Sequence, residues 1–260
     1  MYLFVKLLVK LSAFLLTLCI LCFFCLPHQA MATQFKSSNT ITVATHIEPP
    51  LINIENGMFV GQNADIARLL AQSINKKISF IKCPFARCLA MAEKGQADMM
   101  IAIRKTAERE TYLDFLSQPF SSHILPVRFY VRKNSKLDIN QYDHLLGLKI
   151  GMLRGATFFE RFDQDHTLQK ITLPNHNLLV SMLIKGRIDT FLGREVSIEA
   201  RTDKETYQNE MKMAPYIYQK KVDAYIAVSK KSPLRKQVPA LSKNLITLLN
   251  NGAIEKLLIK

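Results

Sequence analysis

The chain has 260 residues and a formal net charge of +14, because 35 lysines and arginines outnumber 21 aspartates and glutamates. This length is enough for one large or two small α/β domains with substantial cores. The basic balance favours an anionic partner, yet the basic residues are spread along the chain, with no arginine-rich run interleaved with aromatics. We therefore expect no nucleic-acid partner and a largely solvated basic surface.

The first 32 residues have the pattern of a cleavable export signal. Lys6 and Lys10 precede an apolar run at 11–26, and Ala30 and Ala32 offer a small-residue cleavage site. The run is shorter than the roughly 20 residues that a membrane-spanning helix needs, which disfavours an uncleaved anchor. We assign residues 1–32 to a signal peptide and expect a soluble exported protein.

After the signal, the chain alternates between strand and helix patterns. A β-branched run at 41–44 predicts a strand, and the loop after it contains Pro49 and Pro50 and carries His46 and Glu48. The pattern continues with an amphipathic helix from residue 63 or 65, a strand at 78–81, a helix that ends at Gly95 and a strand at 98–103. This order predicts a parallel sheet covered by helices on both faces.

Cys83 and Cys88 are the two cysteines that follow the signal, and they bracket the sequence Pro-Phe-Ala-Arg. An exported protein reaches a compartment in which disulfides persist. A bridge requires α-carbons within about 7 Å, which a turn from strand to helix can supply. The sequence leaves a disulfide and two free thiols open as alternatives.

Residues 95–120 bring charge to the end of the buried strand at 98–103. Thr106 can cap the next helix, whose first turn contains Glu108, Arg109 and Glu110. The glutamates suit the positive end of the helix dipole, whereas Arg109 opposes it at a cost of about 0.3–1 kcal/mol. Ligands bind at the carboxyl ends of parallel strands and anions at helix N-termini, so Arg109 is a candidate anion ligand. From the local pattern alone, a solvated surface arginine is the alternative.

Two longer strand patterns, at 123–133 and 220–230, separate this first half from a second alternation. The second alternation contains a strand at 149–153, a turn at 154–157, a helix through Phe158 and Phe162, a strand near Ile171, a helix at 177–185, a strand at 188–192 and a helix from residue 195, and a terminal helical region follows Pro233. Two crossings predict two lobes joined by a hinge, with a ligand cleft between them. We assign residues 33–130 and 226–260 to the first lobe and residues 131–225 to the second.

Both halves contain the same local pattern. A helix closes on a glycine, an aspartate enters a short apolar strand, and an arginine follows the strand. These residues are Gly95, Asp98 and Arg104 in the first half and Gly186, Asp189 and Arg194 in the second.

With these residues in place, the chain resembles the bacterial family 3 periplasmic solute-binding proteins, which serve ABC importers of polar amino acids. The resemblance covers nearly all of the mature chain. It rests on the strand-to-Pro-Pro opening at 42–51, the Gly-x-x-x-Asp helix start at 61–65, the GQAD and TAERETYLDFLSQPF sequences, and, in the second half, LKIGMLRGAT and KGRIDTFLG. It implies an α/β fold of the type II periplasmic binding class. Each of the two lobes is then a mostly parallel sheet flanked by helices, and two crossover strands form the hinge.

The resemblance also implies roles for particular residues. In the family, the arginine of the Thr-x-Glu-Arg motif binds the ligand's α-carboxylate, and Arg109 stands at the matching position. A guanidinium forks onto a carboxylate through two parallel hydrogen bonds. The turn Gly155-Ala156-Thr157 matches the small-hydroxyl turn that contacts the same carboxylate, so Ala156 and Thr157 join the candidate site. A simple helix N-cap is the alternative for Thr157.

Several positions depart from the family pattern. Arg194 follows the second-lobe strand, where amino-acid binders usually carry an acid for the ligand's ammonium, and Arg104 stands where they often have a small hydroxyl residue. Glu48 replaces the usual first-lobe aromatic, while Arg87 and Arg154 lie in turns that can border the cleft. If several of these arginines face the cleft together with Arg109, the site suits a dianionic or acidic solute, with Glu48 or His46 available to a donor group. A surface or structural role is the alternative for each arginine other than Arg109. The candidate ligand-binding residues are Arg109, Thr157, Arg104, Arg194, Phe85, Glu48, His46, Arg87 and Ala156, with Phe85 either a stacking wall or part of the core.

We therefore expect a periplasmic solute-binding protein that closes on a small polar ligand carrying a carboxylate, either an amino acid or a more acidic solute. The closed form would be presented to an ABC permease or a membrane sensor. We expect a monomer without cofactor, metal site or catalytic residues. His144, His166 and His176 have no metal-ligand spacing and are expected on the surface.

Two other functions remain as alternatives. A dehydratase-like enzyme on the same scaffold would act on a carboxylate substrate, with His46 and Glu48 as acid and base. Against it, the sequence has no nucleophile elbow, no zinc-spaced histidine pair and no phosphate loop. A basic protein acting on membranes or cell-wall material is supported by charge alone.

Overall fold

The computed structural model of the chain describes residues 39–124 and 126–258. The predicted signal peptide at 1–32 lies outside these residues. Within them, the structure contains no helix with the length and apolar character that a bilayer crossing requires.

The first lobe takes its elements from both ends of the described chain. In order they are β1 (Thr40–Thr45), β2 (Asn53–Glu55), β3 (Met58–Val60), α1 (Gln62–Gln72), β4 (Lys77–Lys82), α2 (Phe85–Glu93), β5 (Met99–Ile103), α3 (Ala107–Glu110), β6 (Leu113–Phe115) and β7 (Ser121–Ile124), and, after the second lobe, β13 (Lys221–Ser229), the 3-10 turn Pro233–Gln237, α8 (Val238–Asn250) and the 3-10 turn Glu255–Leu257. The sheet order is β4-β1-β5-β13-β6, and β7 also pairs with β13. Strands β4, β1 and β5 are parallel, whereas β13 runs antiparallel to its neighbours.

The second lobe is one continuous stretch of the chain. Its elements are β8 (Val127–Arg132), the 3-10 turn Tyr142–Leu145, β9 (Lys149–Leu153), α4 (Glu160–Gln164), β10 (Gln169–Leu173), α5 (His176–Ile184), β11 (Thr190–Arg194), α6 (Glu195–Glu199), α7 (Lys204–Asn209) and β12 (Met211–Tyr218). The sheet order is β10-β9-β11-β8-β12. Strands β10, β9 and β11 are parallel, and β8 and β12 are antiparallel additions.

Helices cover the first sheet on both faces because their apolar residues recur at helical spacing. Ile66 and Leu70 of α1 pack in one core cluster with Leu241 and Leu245 of α8. On the other face, α2 buries Cys88 and Ala92 in a second cluster. Burial of each such aliphatic side chain stabilises the fold by about 1.5–3 kcal/mol.

The repeated aspartate has the same structural role in both lobes. Asp98 Oδ2 accepts a hydrogen bond from the Thr42 amide at 2.8 Å, and Asp189 Oδ2 accepts one from the Lys149 amide at 2.8 Å. Each aspartate thereby joins the entry of one parallel strand to its neighbour. Since β5 and β11 begin in equivalent ways, Arg104 and Arg194 arrive at equivalent places at the ends of the two strands.

The predicted fold class is confirmed, and several elements differ from prediction. The hairpin β2–β3 was not predicted, and the helix after Thr106 has only the four residues Ala107–Glu110. The segment 123–133 is divided between β7 and β8, which belong to different sheets. The proposed lobe boundaries at 130 and 225 lie inside β8 and β13. Each of these strands pairs along its length with the strands of one lobe.

Candidate functional site

A cleft of about 510 Å³, including the solvent space at its mouth, lies between the two lobes. Its lining residues lie at the carboxyl ends of parallel strands, or in the loops and helices that follow them. They are His46, Glu48, Phe85, Ala102, Ile103, Arg104 and Arg109 from the first lobe and Leu153, Ala156, Thr157, Phe158, His176 and Arg194 from the second. This is where α/β folds bind ligands.

Arg109 is buried, lines the cleft and contacts both lobes. Its Nη1 donates to the carbonyl oxygen of Arg104 at 2.7 Å, and its Nη2 donates to the carbonyl oxygen of Gly155, in the second lobe, at 2.9 Å. The guanidinium carbon lies 5.5 Å from the centroid of the Phe85 ring. The Arg109 amide donates to Thr106 Oγ1 at 3.2 Å, which confirms the predicted N-cap. Burial lowers the pKa of Arg109, and neighbouring Arg104 lowers it further, against the raising effects of Tyr112 and Glu108.

Arg104 also reaches across the cleft. Its Nη1 donates to the carbonyl oxygen of Phe158. Burial lowers the pKa of Arg104, an effect to which Arg194 adds and which Asp163 opposes. Asp163 is not among the lining residues, but it contacts Phe158, which is. Both of its carboxylate oxygens accept a hydrogen bond from the Phe158 amide at 3.0 Å.

Glu48 is buried and bonded to residues of both lobes. Oε1 accepts from Ser197 Oγ at 2.9 Å and from Arg194 Nη1 at 3.3 Å, while Oε2 lies 2.8 Å from His46 Nε2. Burial raises the pKa of Glu48, but Arg194 and His46 together outweigh it and hold the pKa well below its usual value. The carboxylate is therefore ionised and engaged on both of its oxygens.

His176 opens helix α5 beside this network and is 7% exposed. Burial, followed by repulsion from Arg201, lowers the pKa of His176 to about 4, although Glu48 acts in the opposite direction. Arg201 itself donates through Nη2 to the carbonyl oxygen of Ile47 in the first lobe. His176 is accordingly neutral at pH 7.

Thr157 presents a hydroxyl for which the described residues provide no hydrogen-bond partner, although Oγ1 is buried. Helix α4 begins at Glu160 and is preceded by Phe159 as its cap residue. The N-cap alternative for Thr157 is therefore wrong. The hydroxyl remains available to a group in the cleft.

Cys83 and Cys88 are bonded to each other, with their α-carbons 5.5 Å apart. Phe85 lies in the loop they close and forms one wall of the cleft. The ring centroids of His46 and Phe85 are 4.8 Å apart in an edge-on arrangement. The bonded pair thus holds the aromatic wall against both His46 and Arg109.

Of the nine candidate residues, Arg87 is the one that the structure separates from the cleft. Phe85, Cys88 and Ala92 form the buried face of α2, which leaves Arg87 exposed on the opposite face. Arg154 is likewise exposed, and its Nη2 lies 3.4 Å from the carbonyl oxygen of Thr172.

The expectation of a surface histidine at 176 was wrong, because the start of α5 follows the carboxyl end of β10 and faces the cleft. Its position after the capping Asn175 was the available signal. Ser197 and Arg201, which bond first-lobe residues, were also missed. Glu195 is adjacent to Arg194 in the sequence, and its carboxylate accepts a hydrogen bond from Arg128 Nε at 3.0 Å.

The lining carries three guanidinium groups against one carboxylate, so it has a surplus of positive charge. Within residues 39–124 and 126–258, no cluster of three or more histidine, cysteine, aspartate or glutamate side chains is arranged to hold a metal ion. The arrangement is suited to bind an anionic solute while excluding water from it.

The sequence profile of the bacterial extracellular solute-binding proteins of family 3 matches residues 41–258. The histidine-binding periplasmic protein of Escherichia coli K12 is 26% identical over 146 residues, which cover 54% of each chain. The corresponding protein of Salmonella typhimurium matches to the same extent. The chain thus spans about half the length of the curated relatives it matches.

Solved structures of this fold align over most of the chain. An ancestral arginine-binding protein bound to arginine superposes with a TM-score of 0.70 at 23% identity, covering 84% of this chain and 96% of the other. An amino acid ABC transporter substrate-binding protein of Streptococcus pneumoniae, bound to L-arginine, gives 0.67 at 20% identity, with 85% and 94% covered. The GluR0 ligand-binding core of Nostoc punctiforme, in complex with L-glutamate, gives 0.63 at 21%, with 84% and 96% covered. At these identities the likeness concerns the fold.

Proposed function

We propose that this chain, which belongs to the bacterial extracellular solute-binding proteins of family 3, closes in the periplasm on a small solute carrying a carboxylate, an amino acid or a more acidic compound. The relatives support the setting, since they include periplasmic histidine-binding proteins and structures bound to arginine and glutamate. The closed form would engage an ABC permease or a membrane sensor, and the protein would act as a monomer.

The observation that carries the proposal is the environment of Arg109. The guanidinium is buried, lies over an aromatic ring and bonds carbonyl groups of both lobes. Each terminal nitrogen carries a further N–H, so the group retains donors for a carboxylate. Charge-assisted bonds gain strength where water is excluded. The Thr157 hydroxyl offers one more donor on the second-lobe side.

The proposed motion follows the two sheets. Residues 39–124 with 221–258, and residues 127–218, would move as two bodies, each built around one sheet. Closure would bring Arg201 to the Ile47 carbonyl, and Ser197 and Arg194 to Glu48. A ligand that bonds both lobes stabilises this closed arrangement by its differential affinity for it.

An enzyme on the same scaffold is the second candidate, because His46 and Glu48 form a hydrogen-bonded pair in the cleft. The pair is poorly suited to proton transfer at neutral pH. Glu48 is strongly acidic, and both of its oxygens are engaged by neighbouring groups. A general acid or base works best with a pKa near the operating pH.

The test is native mass spectrometry of protein purified from the periplasm without ligand exchange, followed by thermal unfolding with the identified compound. We expect a retained carboxylate that raises the melting temperature and is recovered unchanged. The Arg109→Ala variant should release it, whereas Arg87→Ala should retain it. A retained compound without an acidic group, or its conversion to product, would contradict the proposal.

A further inference from the structure

We propose that the solute of this cleft is a small dicarboxylate that lacks an ammonium group. The inference rests on the proposed solute-binding function and names the class of solute. It follows from two independent properties of the cleft: the surplus of guanidinium groups, and the engagement of its carboxylate and carbonyl acceptors by the protein's own donors.

The first property is charge. Arg104, Arg109 and Arg194 line the cleft, and Glu48 is the one carboxylate among the lining residues that the structure describes. Asp163 is a second carboxylate nearby, since it accepts a hydrogen bond from the amide of the lining residue Phe158. Even when Asp163 is counted, three arginines face two carboxylates. Two ligand carboxylates balance this surplus better than a zwitterionic amino acid, which brings no net charge from its backbone groups.

The second property is the use of acceptors. An ammonium group needs acceptors for its N–H bonds, and these are most favourable when they are anionic. Both oxygens of Glu48 already accept from residues of the protein. The carbonyl oxygens of Arg104, Gly155 and Phe158 accept from the cleft's own arginines.

An ammonium would therefore have to share acceptors that the protein's own donors already use, in a region where three guanidinium groups repel it. Discrimination of this kind works by exclusion as much as by attraction. Arg194 makes it explicit: a cation follows the second-lobe strand, where the resemblance to amino-acid binders leads us to expect an acid. Neutral His176 adds no negative charge to replace it.

The two carboxylates have separate donors. Arg109 and the Thr157 hydroxyl serve one end of the solute, and Arg104 serves the other. Arg104 now donates to the Phe158 carbonyl, and it can exchange that neutral acceptor for an anion, which makes the stronger bond. Arg104 is thus the residue that distinguishes one acidic group from two.

Isothermal titration calorimetry tests the inference with pairs of acids that differ by one group. Succinate is compared with L-aspartate and glutarate with L-glutamate, since each pair differs by the ammonium alone. Butyrate provides a single carboxylate, and inorganic phosphate provides a compact divalent anion. We expect one of the two dicarboxylates to bind at least about tenfold more tightly than its amino counterpart, butyrate and phosphate.

A variant pair assigns the effect to the cleft. Arg104→Gln should weaken dicarboxylate binding at least about tenfold and leave butyrate binding within about twofold, whereas exposed Arg154→Gln should change neither. Tighter binding of aspartate or glutamate than of its dicarboxylate partner overturns the inference and leaves the solute-binding function intact. So does tighter binding of phosphate. Failure of every one of these carboxylates to bind the wild type overturns the inference. If native mass spectrometry also finds no retained carboxylate, the proposed function is overturned as well.

Discussion

Replacing His176 by glutamine should remove a loss of stability that the protein undergoes as the pH falls from about 6.5 to about 4. The pKa of His176 is lowered from 6.5 to about 4 in the folded protein, mainly by burial. Between these values the unfolded chain binds a proton that the folded chain does not, so acidification favours unfolding. The contribution of neutral His176 is complete above pH 6.5 and is lost as the pH approaches 4.

The size of the effect follows from the shift. A depression from 6.5 to about 4, at about 1.36 kcal/mol per unit, corresponds to roughly 3 kcal/mol of unfolding free energy. Urea unfolding followed by circular dichroism at pH 7, 6, 5 and 4 gives this free energy for the wild type and for His176→Gln. The difference between the two proteins should change by about 3 kcal/mol across the series.

Glu48 does not confuse the comparison, because its carboxylate is present in both proteins. With its pKa well below the usual value, its contribution is lost only as the pH falls below about 4.5 towards the lowered value. His166→Gln, at an exposed histidine, is the matched control and should run parallel to the wild type. If His176→Gln also runs parallel to the wild type within about 0.5 kcal/mol, the buried neutral histidine is refuted.

Three further variants test the cleft. Arg109→Ala should weaken binding of a carboxylate ligand at least about 100-fold in calorimetry, because it removes buried charge-assisted bonds worth about 3 kcal/mol. The control variant Arg87→Ala, at an exposed arginine, should leave the affinity unchanged. Equal affinities in both variants would exclude Arg109 from the site. Thr157→Val should keep the unfolding free energy or raise it by up to about 1 kcal/mol, since Oγ1 is buried without a partner among the described residues. The same variant should bind ligand about fivefold more weakly. Lower stability with full affinity would show that the hydroxyl is structural. The double variant Cys83→Ser/Cys88→Ser should lose roughly 2 kcal/mol of stability. It should also bind ligand several-fold more weakly, because the aromatic wall between the two residues is no longer held. Unchanged affinity in calorimetry would show that the disulfide contributes to stability alone.

The sequence predicted the strands and helices that have a strong apolar period and clear boundaries. Strand β5 is an apolar run bounded by glycine and charge, and helix α1 repeats its apolar residues at helical spacing. The hairpin β2–β3 escaped prediction because its strands have three residues each, too few for alternation to be recognised. Helix α3 is limited to one turn because β6 begins at Leu113 and pairs with β13.

The site was predictable as far as local pattern reaches. Thr106 and Arg109 are close in sequence, and the cap geometry between them follows from that spacing. Arg87 could have been set aside, since Phe85, Cys88 and Ala92 define the buried face of α2. The partners of Arg194 could not be foreseen, because Glu48 lies 146 positions away in sequence and in the other lobe.

The contacts between the lobes have a kinetic consequence. Arg109 bonds the Gly155 carbonyl, Arg104 bonds the Phe158 carbonyl and Ser197 bonds Glu48, so the protein's own groups hold the cleft closed. Ligand entry then depends on how often these bonds break together. In stopped-flow mixing, the observed association rate should rise with ligand concentration and level off at the rate of opening. One hinge movement, the opening of the cleft, would then govern both the rate at which the protein captures its solute and the time for which it retains it.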